Sequence, residues 1–259
     1  MSCATTNLGL RRWFFAYWLM ISWAALASAS ASDPAPLARA QQAYAQSQAL
    51  YREHPQEIKA AWQFGRACFD LADFATNKAQ RAALAQQGIA ACRNALAADT
   101  NSAPAHYYLG LDMGQLAQTR TLGALRLVNE MEREFLDASR LDAAFDYGGP
   151  DRALGLLYRD APSFGSIGSR TKARQHLLRA VELAPGDPEN RLNLLETYLK
   201  WNERKEARAQ LDVLENGLPS ARAKFSGAAW AGSWADWDSR IEAARKALGE
   251  PARLESPRH

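Results

Sequence analysis

Four stretches of the chain share one pattern: a proline, then a run whose apolar residues recur at helical spacing. They are IKAAWQFGRACFDLA after Pro55, PAHYYLGLDMGQLA from Pro104, PDRALGLLYRD from Pro150 and PENRLNLLETYLKW from Pro188. Proline suits a first helical turn because the N–H it lacks would have no partner there. The first three runs carry Phe64-Gly65, Leu109-Gly110 and Leu154-Gly155, 45 residues apart each time. The fourth places Leu194-Leu195 at the comparable point, without glycine. Second helices alternate with these at 88–100, 135–143 and 173–185, where Ala95, Ala138 and Ala180 align. Gly88 and Ala173 align near the starts of the first and third. Small residues at such points let two helices approach closely while larger apolar neighbours fill the space beside them.

The remaining segments fit around these hairpins. Residues 36–53 read as a helix preceding the first run, and 119–136 as a longer amphipathic stretch with Leu122, Leu125, Val128 and Met131 near helical spacing. ATNKAQRAALAQ (75–86) and APSFGSIGSRT (161–171) read as insertions between paired helices, which cost little because loop closure rises only logarithmically with length. Gly148-Gly149-Pro150 breaks one helix and starts the next, and Ser169 and Asp187 are the expected N-caps of two later ones. After Pro219 the pattern changes: Trp230, Trp234 and Trp237 fall on one helical face, expected to cover the apolar end of the stack, with an exposed aromatic partner site as the alternative.

Composition agrees with an all-α chain. Helix formers dominate, β-branched residues are scarce, and 47% apolar content over 259 residues supports a sizeable core. A formal charge of +3 is only weakly basic and does not suggest a nucleic-acid footprint, which would need basic residues gathered on one face. Arg11 and Arg12 precede WFFAYWLMISWAALA, followed by the small residues of SASAS. Residues 1–31 therefore read as a signal peptide cleaved after Ala29 or Ala31. A retained anchor is the alternative, though the run is short for a span of ~20 residues. Cleavage implies a periplasmic or secreted protein with no stable membrane insertion, 32–218 as a repeat domain, 219–248 as its capping helix and 249–259 as a disordered tail.

The match of ARQHLLRAVELAPGDPEN, from Ala173 through Ala180 to Pro185, resembles the tetratricopeptide repeat, although the period here is longer than that repeat's. The resemblance implies a helical-hairpin solenoid of about four helix pairs plus a C-terminal capping helix. Residues 146–200 look more narrowly like the TatT-type family, the tetratricopeptide-like periplasmic component associated with TRAP transporters, and its secreted relatives. Gly148, Gly149, Pro150, Gly155, Tyr158, Pro162, Ala173, Ala180 and Pro185 carry that likeness. Its lipoprotein members use an acylated cysteine; Cys3 lies ahead of the apolar run and cannot serve.

Carried onto this chain, the repeat class places an inner groove at Trp62 and Arg66, Tyr107 and Leu111, Arg152 and Leu156, and Leu192 and Glu196, with Arg159 one turn on. Trp, Tyr and Arg are favoured binding anchors, although Trp62 and Tyr107 could equally pack against neighbouring helices. The loop with Pro162, Phe164, Gly165 and Gly168 either folds over one end of that groove or serves as a rigid connector. GSIGS enters a helix and could meet an anion, but no strand precedes it and no P-loop lysine follows. Cys68 and Cys92 fall on facing sides of paired helices, so a disulfide and two buried thiols are both open. The histidines (54, 106, 176, 259) are scattered, with His106 turned toward its partner helix, and no HExxH, CxxC, GxSxG or P-loop occurs. The expectation is a non-enzymatic protein with no cofactor or metal. It would bind a protein or peptide segment or a small apolar ligand, and no nucleic acid; the alternative is a hydrophobic-ligand accessory of a TRAP-type transporter.

Overall fold

A computed structural model describes residues 34–120 and 123–249. The leader, Leu122 and residues 250–259 of the tail lie outside the described residues. The described residues form ten α-helices and no strand: α1 (Pro34–Glu53), α2 (Ile58–Ala72), α3 (Lys78–Ala98), α4 (Ala103–Ala117), α5 (Ala124–Leu141), α6 (Phe145–Asp160), α7 (Arg170–Leu183), α8 (Pro188–Lys200), α9 (Arg204–Lys224) and α10 (Ala231–Leu248), with a 3₁₀ turn at Ala228–Trp230. The helices pair as hairpins α2/α3, α4/α5, α6/α7 and α8/α9, with α1 against α2 and α10 against α8 and α9. Two compact units result. One holds α1–α5, up to Asp142; the other holds α6–α10, from Ala143, apart from residues 164–167.

Close approach within each hairpin depends on the aligned small residues. A Cβ on Gly65 would lie 2.3 Å from Cys92 Sγ on α3, one on Gly110 2.5 Å from the Phe135 ring on α5, and one on Gly155 2.5 Å from Leu177 Cγ on α7. Ala95, Ala138 and Ala180 are buried at the same interfaces. Asn77, Ser169 and Asp187 cap α3, α7 and α8, each accepting a hydrogen bond from the backbone N–H three residues on. The break before Pro150 consists of three successive left-handed residues, Asp146, Tyr147 and Gly148 (φ 50°, 58° and 79°). Two of them are not glycine, a conformation costing roughly 1–2 kcal/mol per residue unless the surroundings hold it.

Three boundaries differ from the sequence reading. The expected insertion at 75–86 is mostly helix: α3 begins at Lys78, because Asn77 caps it and Leu84 and Ala85 continue its buried face. The stretch from Ala124 onward and the second helix at 135–143 are one helix, α5, on which Leu127, Met131, Phe135 and Ala138 form a single buried stripe. The expected boundary at Pro219 lies inside α9, which runs on to Lys224. Pro219 is exposed, and Leu211, Leu214 and Ala221 hold the helix on either side of it. No helix among the described residues is long and apolar enough to cross a membrane.

Candidate functional site

On α2, Trp62, Arg66 and Asp70 stand at successive i, i+4 positions and thus on one face. All three are half-buried. The Trp62 indole stacks on the Tyr108 ring of α4, with centroids 5.8 Å apart and an interplanar angle of 2°, and packs against Ala61, Ala95 and Ala105. Arg66 faces Asp70 at 3.6 Å. One turn on, Asp73 accepts from Gln115 Nε2 at 2.7 Å, and Gln115 Oε1 accepts from Arg81. The aromatic is thus fixed by stacking, and a row of alternating charge runs down the helix beside it.

Five of the expected groove residues are interior, which corrects their assignment as a ligand-contacting wall. Tyr107 is fully buried between the Tyr108 and Phe135 rings, and Leu111, Leu156 and Leu192 are core residues. Arg152 is also fully buried, as the clamp on the left-handed turn. Its guanidinium donates to Asp146 Oδ2 at 2.8 Å, to the Asp146 carbonyl and to Asn190 Oδ1 at 2.9 Å. Asn190 in turn donates to the carbonyls of Tyr147 and Ala180. The arginine serves the backbone, leaving no face for a ligand.

Arg159 and Glu196 keep part of their surface but are engaged. Arg159 donates to Asp160 and to Thr197 Oγ1. Glu196 accepts from Arg240 Nε at 2.7 Å. Arg240 is the centre of a buried network: its Nη1 donates to both Glu189 oxygens at 2.8 Å, its Nη2 donates to Asn193 Oδ1 at 3.0 Å, and Trp237 Nε1 donates to Glu189 Oε2 at 2.7 Å. Burial pushes the Glu189 carboxyl up, but the guanidiniums of Arg240 and Arg152 override it and hold Glu189 below the usual carboxylate range. Trp230, Trp234 and Trp237 are all buried, so the tryptophan face covers its own unit's core. Sequence reasoning missed Arg240; the signal was a charged residue three positions after Trp237, on the apolar face.

Pro162, Phe164 and Gly165 are exposed, and Phe164 retains 97% of its surface. The loop is closed at its base: Gly168 N–H donates to Pro162 O and Ser169 N–H to Tyr158 O, while a Cβ on Gly168 would lie 2.1 Å from the Ala161 carbonyl oxygen. Cys68 and Cys92 are buried and unbridged. Beside them lies a residue not singled out from sequence, Asp112, fully buried with both carboxylate oxygens unpartnered. Its signal was a lone charge in YYLGLDMGQL. A Cβ on Gly88 would lie 2.1 Å from Asp112 Oδ2, so that glycine makes the room. Burial, and then the charge of Asp70, pushes the Asp112 carboxyl well above the usual range. His106 faces its partner helix as expected, with Nδ1 2.6 Å from Glu134 Oε2. No group of three metal-ligating side chains gathers among the described residues.

Comparison with solved structures places this geometry. TTC0263, a thermophilic TPR protein from Thermus thermophilus, superposes with a TM-score of 0.59 at 20% identity, covering 82% of this chain and 97% of that one. The fold is that of the tetratricopeptide-repeat proteins. MamA superposes at 0.49 with 17% identity over 73% of this chain and 93% of its own, and YrrB, a TPR protein with an unusual peptide-binding site, at 0.46 with 16% identity over 78% and 90%. A family model described as regulator of microtubule dynamics protein 1-3 matches residues 32–124, less than half of this tetratricopeptide-like chain. No curated protein matches it.

Proposed function

We propose that this chain is a secreted or periplasmic, non-enzymatic scaffold that holds a protein segment against the first-helix face of its N-terminal hairpins. The observation that carries the reading is the half-buried row Trp62, Arg66, Asp70 on α2, with the indole stacked on Tyr108. A tryptophan fixed by a parallel ring meets a ligand with little further loss of freedom, and Trp and Arg dominate the energetics of such contacts. The opposite charges of Arg66 and Asp70 supply orientation without strong net attraction. Export rests on the Arg11-Arg12 leader pattern. The transporter-accessory role gains no observation from a fold shared by helical-hairpin proteins at large.

A peptide-display library panned on the full chain tests the reading. Selected peptides should bind Trp62→Ala and Arg66→Ala about tenfold or more weakly, with helicity by circular dichroism unchanged. Peptides that bind both variants as they bind the parent chain would remove the α2 row from the function.

A further inference from the structure

The start of α7 is strongly basic. Arg170, Lys172 and Arg174 lie in its first turns, and the helix carries one acid, Glu182, near its far end. Cations there face the positive end of the helix dipole, an arrangement that works against the stability of the helix start. Across the α8–α9 turn, Arg204 and Lys205 open α9, while Lys200 at the end of α8 is paired with Asp160.

Trp201, half-buried in that turn, organises the face. The guanidiniums of Arg170 and Arg174 each stand 5.6 Å from its ring centroid, and Arg174 also lies 5.6 Å from the Tyr198 ring. Contact with the ring restrains both arginines and leaves their N–H edges available to carboxylates. Arg174 already holds one: its Nη2 lies 2.6 Å from both oxygens of Glu203. Arg170 is exposed, and no carboxylate pairs with it among the described residues. A shallow, open recess runs along the same helix face, lined by Arg170, Thr171, Arg174, Gln175 and Leu178.

We infer that this recess on the α7 face, with the Arg170–Trp201–Arg174 cluster at its head, binds an acidic, extended segment of another protein. Its Glu or Asp side chains pair with Arg170, and with Arg174 in competition with Glu203, and its stem lies along Leu178 and Gln175. The chain itself does not supply that segment. Glu250 and Glu255 of the tail are balanced by Arg253 and Arg258, and the leader's charged residues are Arg11 and Arg12. A nucleic acid fits less well, because the whole chain carries only +3. The surface is separate from the α2 row and does not depend on it.

Fluorescence anisotropy of the full chain with fluorescein-labelled hexaglutamate tests the inference. Hexaglutamate should bind, hexaglutamine should not, and raising salt from about 50 to about 300 mM should weaken the complex severalfold. Arg170→Glu, at an exposed position where circular dichroism confirms folding, should weaken it about tenfold or more. Trp62→Ala should bind hexaglutamate as the parent does, which separates this surface from the α2 row. Failure of hexaglutamate to bind, equal binding by Arg170→Glu, or tighter binding of a polyphosphate of matched charge would each overturn the assignment.

Discussion

Asp112 shows most plainly how one residue can work against the fold that holds it. Its carboxyl sits among Gly65, Gly88 and two thiols, with no hydrogen-bond donor on either oxygen. A carboxyl whose pKa is raised by folding favours the native state fully below its unfolded value, near 3.8. That contribution is lost as pH rises toward the folded pKa, at about 1.4 kcal/mol per pH unit. Asp112→Asn removes the charge and keeps the shape. The variant should match the parent near pH 4 and become progressively more stable than it as pH rises. Asp187, raised to about 6 by burial against the partial relief of Arg152, tilts both proteins alike and cancels in the difference. Urea denaturation at several pH values measures the gap; a gap that shrinks with rising pH would contradict the sign. The lone acid was visible in the sequence, but its isolation was not, because isolation depends on which three helices meet around it.

Among the elements, the hairpins were legible because their interfaces need small residues at a fixed repeat, and a repeat shows in a single sequence. Gly65, Gly110 and Gly155 each lie against the following helix as that logic requires. Second-helix lengths were less legible: the Ala- and Gln-rich start of α3 has too little apolar contrast to reveal a face, and α9 crosses Pro219 because packing outweighs one missing N–H. Two glycines separate the effects of propensity and approach. Alanine gains about 1 kcal/mol over glycine in an open helix interior. At Gly217 on α9 nothing lies within 4 Å of a Cβ, so Gly217→Ala should raise the melting temperature. At Gly155 a Cβ would meet Leu177 Cγ at 2.5 Å and the Leu177 backbone nitrogen at 3.1 Å. Overpacking there costs roughly 1–3 kcal/mol, more than propensity returns, so Gly155→Ala should lower the melting temperature. The same sign for both would mean that the α6/α7 interface yields more easily than its geometry implies.

At the scale of the whole molecule, the candidate site was legible only where a side chain's surroundings follow from its own helix. Trp62 and Arg66 keep surface, as their spacing suggested, whereas Arg152 looked like a groove anchor and is instead buried against a left-handed turn that helix propensity does not reveal. Arg240 has the corresponding role on α10, tying it to α8 through Glu189, Glu196 and Asn193. Removing one partner of such a buried pair costs about 3–5 kcal/mol, because the other is left charged without compensation. Where that cost is felt tests the division into two units. In a repeat fold each element is stabilised mainly by its neighbours, so damage should stay near its source. Hydrogen exchange on Arg240→Met should therefore show faster exchange across α8, α9 and α10, with α1–α5 protected as in the parent chain. Adding Glu189→Gln removes the stranded charge and should restore part of the lost protection. If exchange instead accelerates equally in α1–α5, the chain opens as one cooperative block, and the independence of the two units fails even though each keeps its own core.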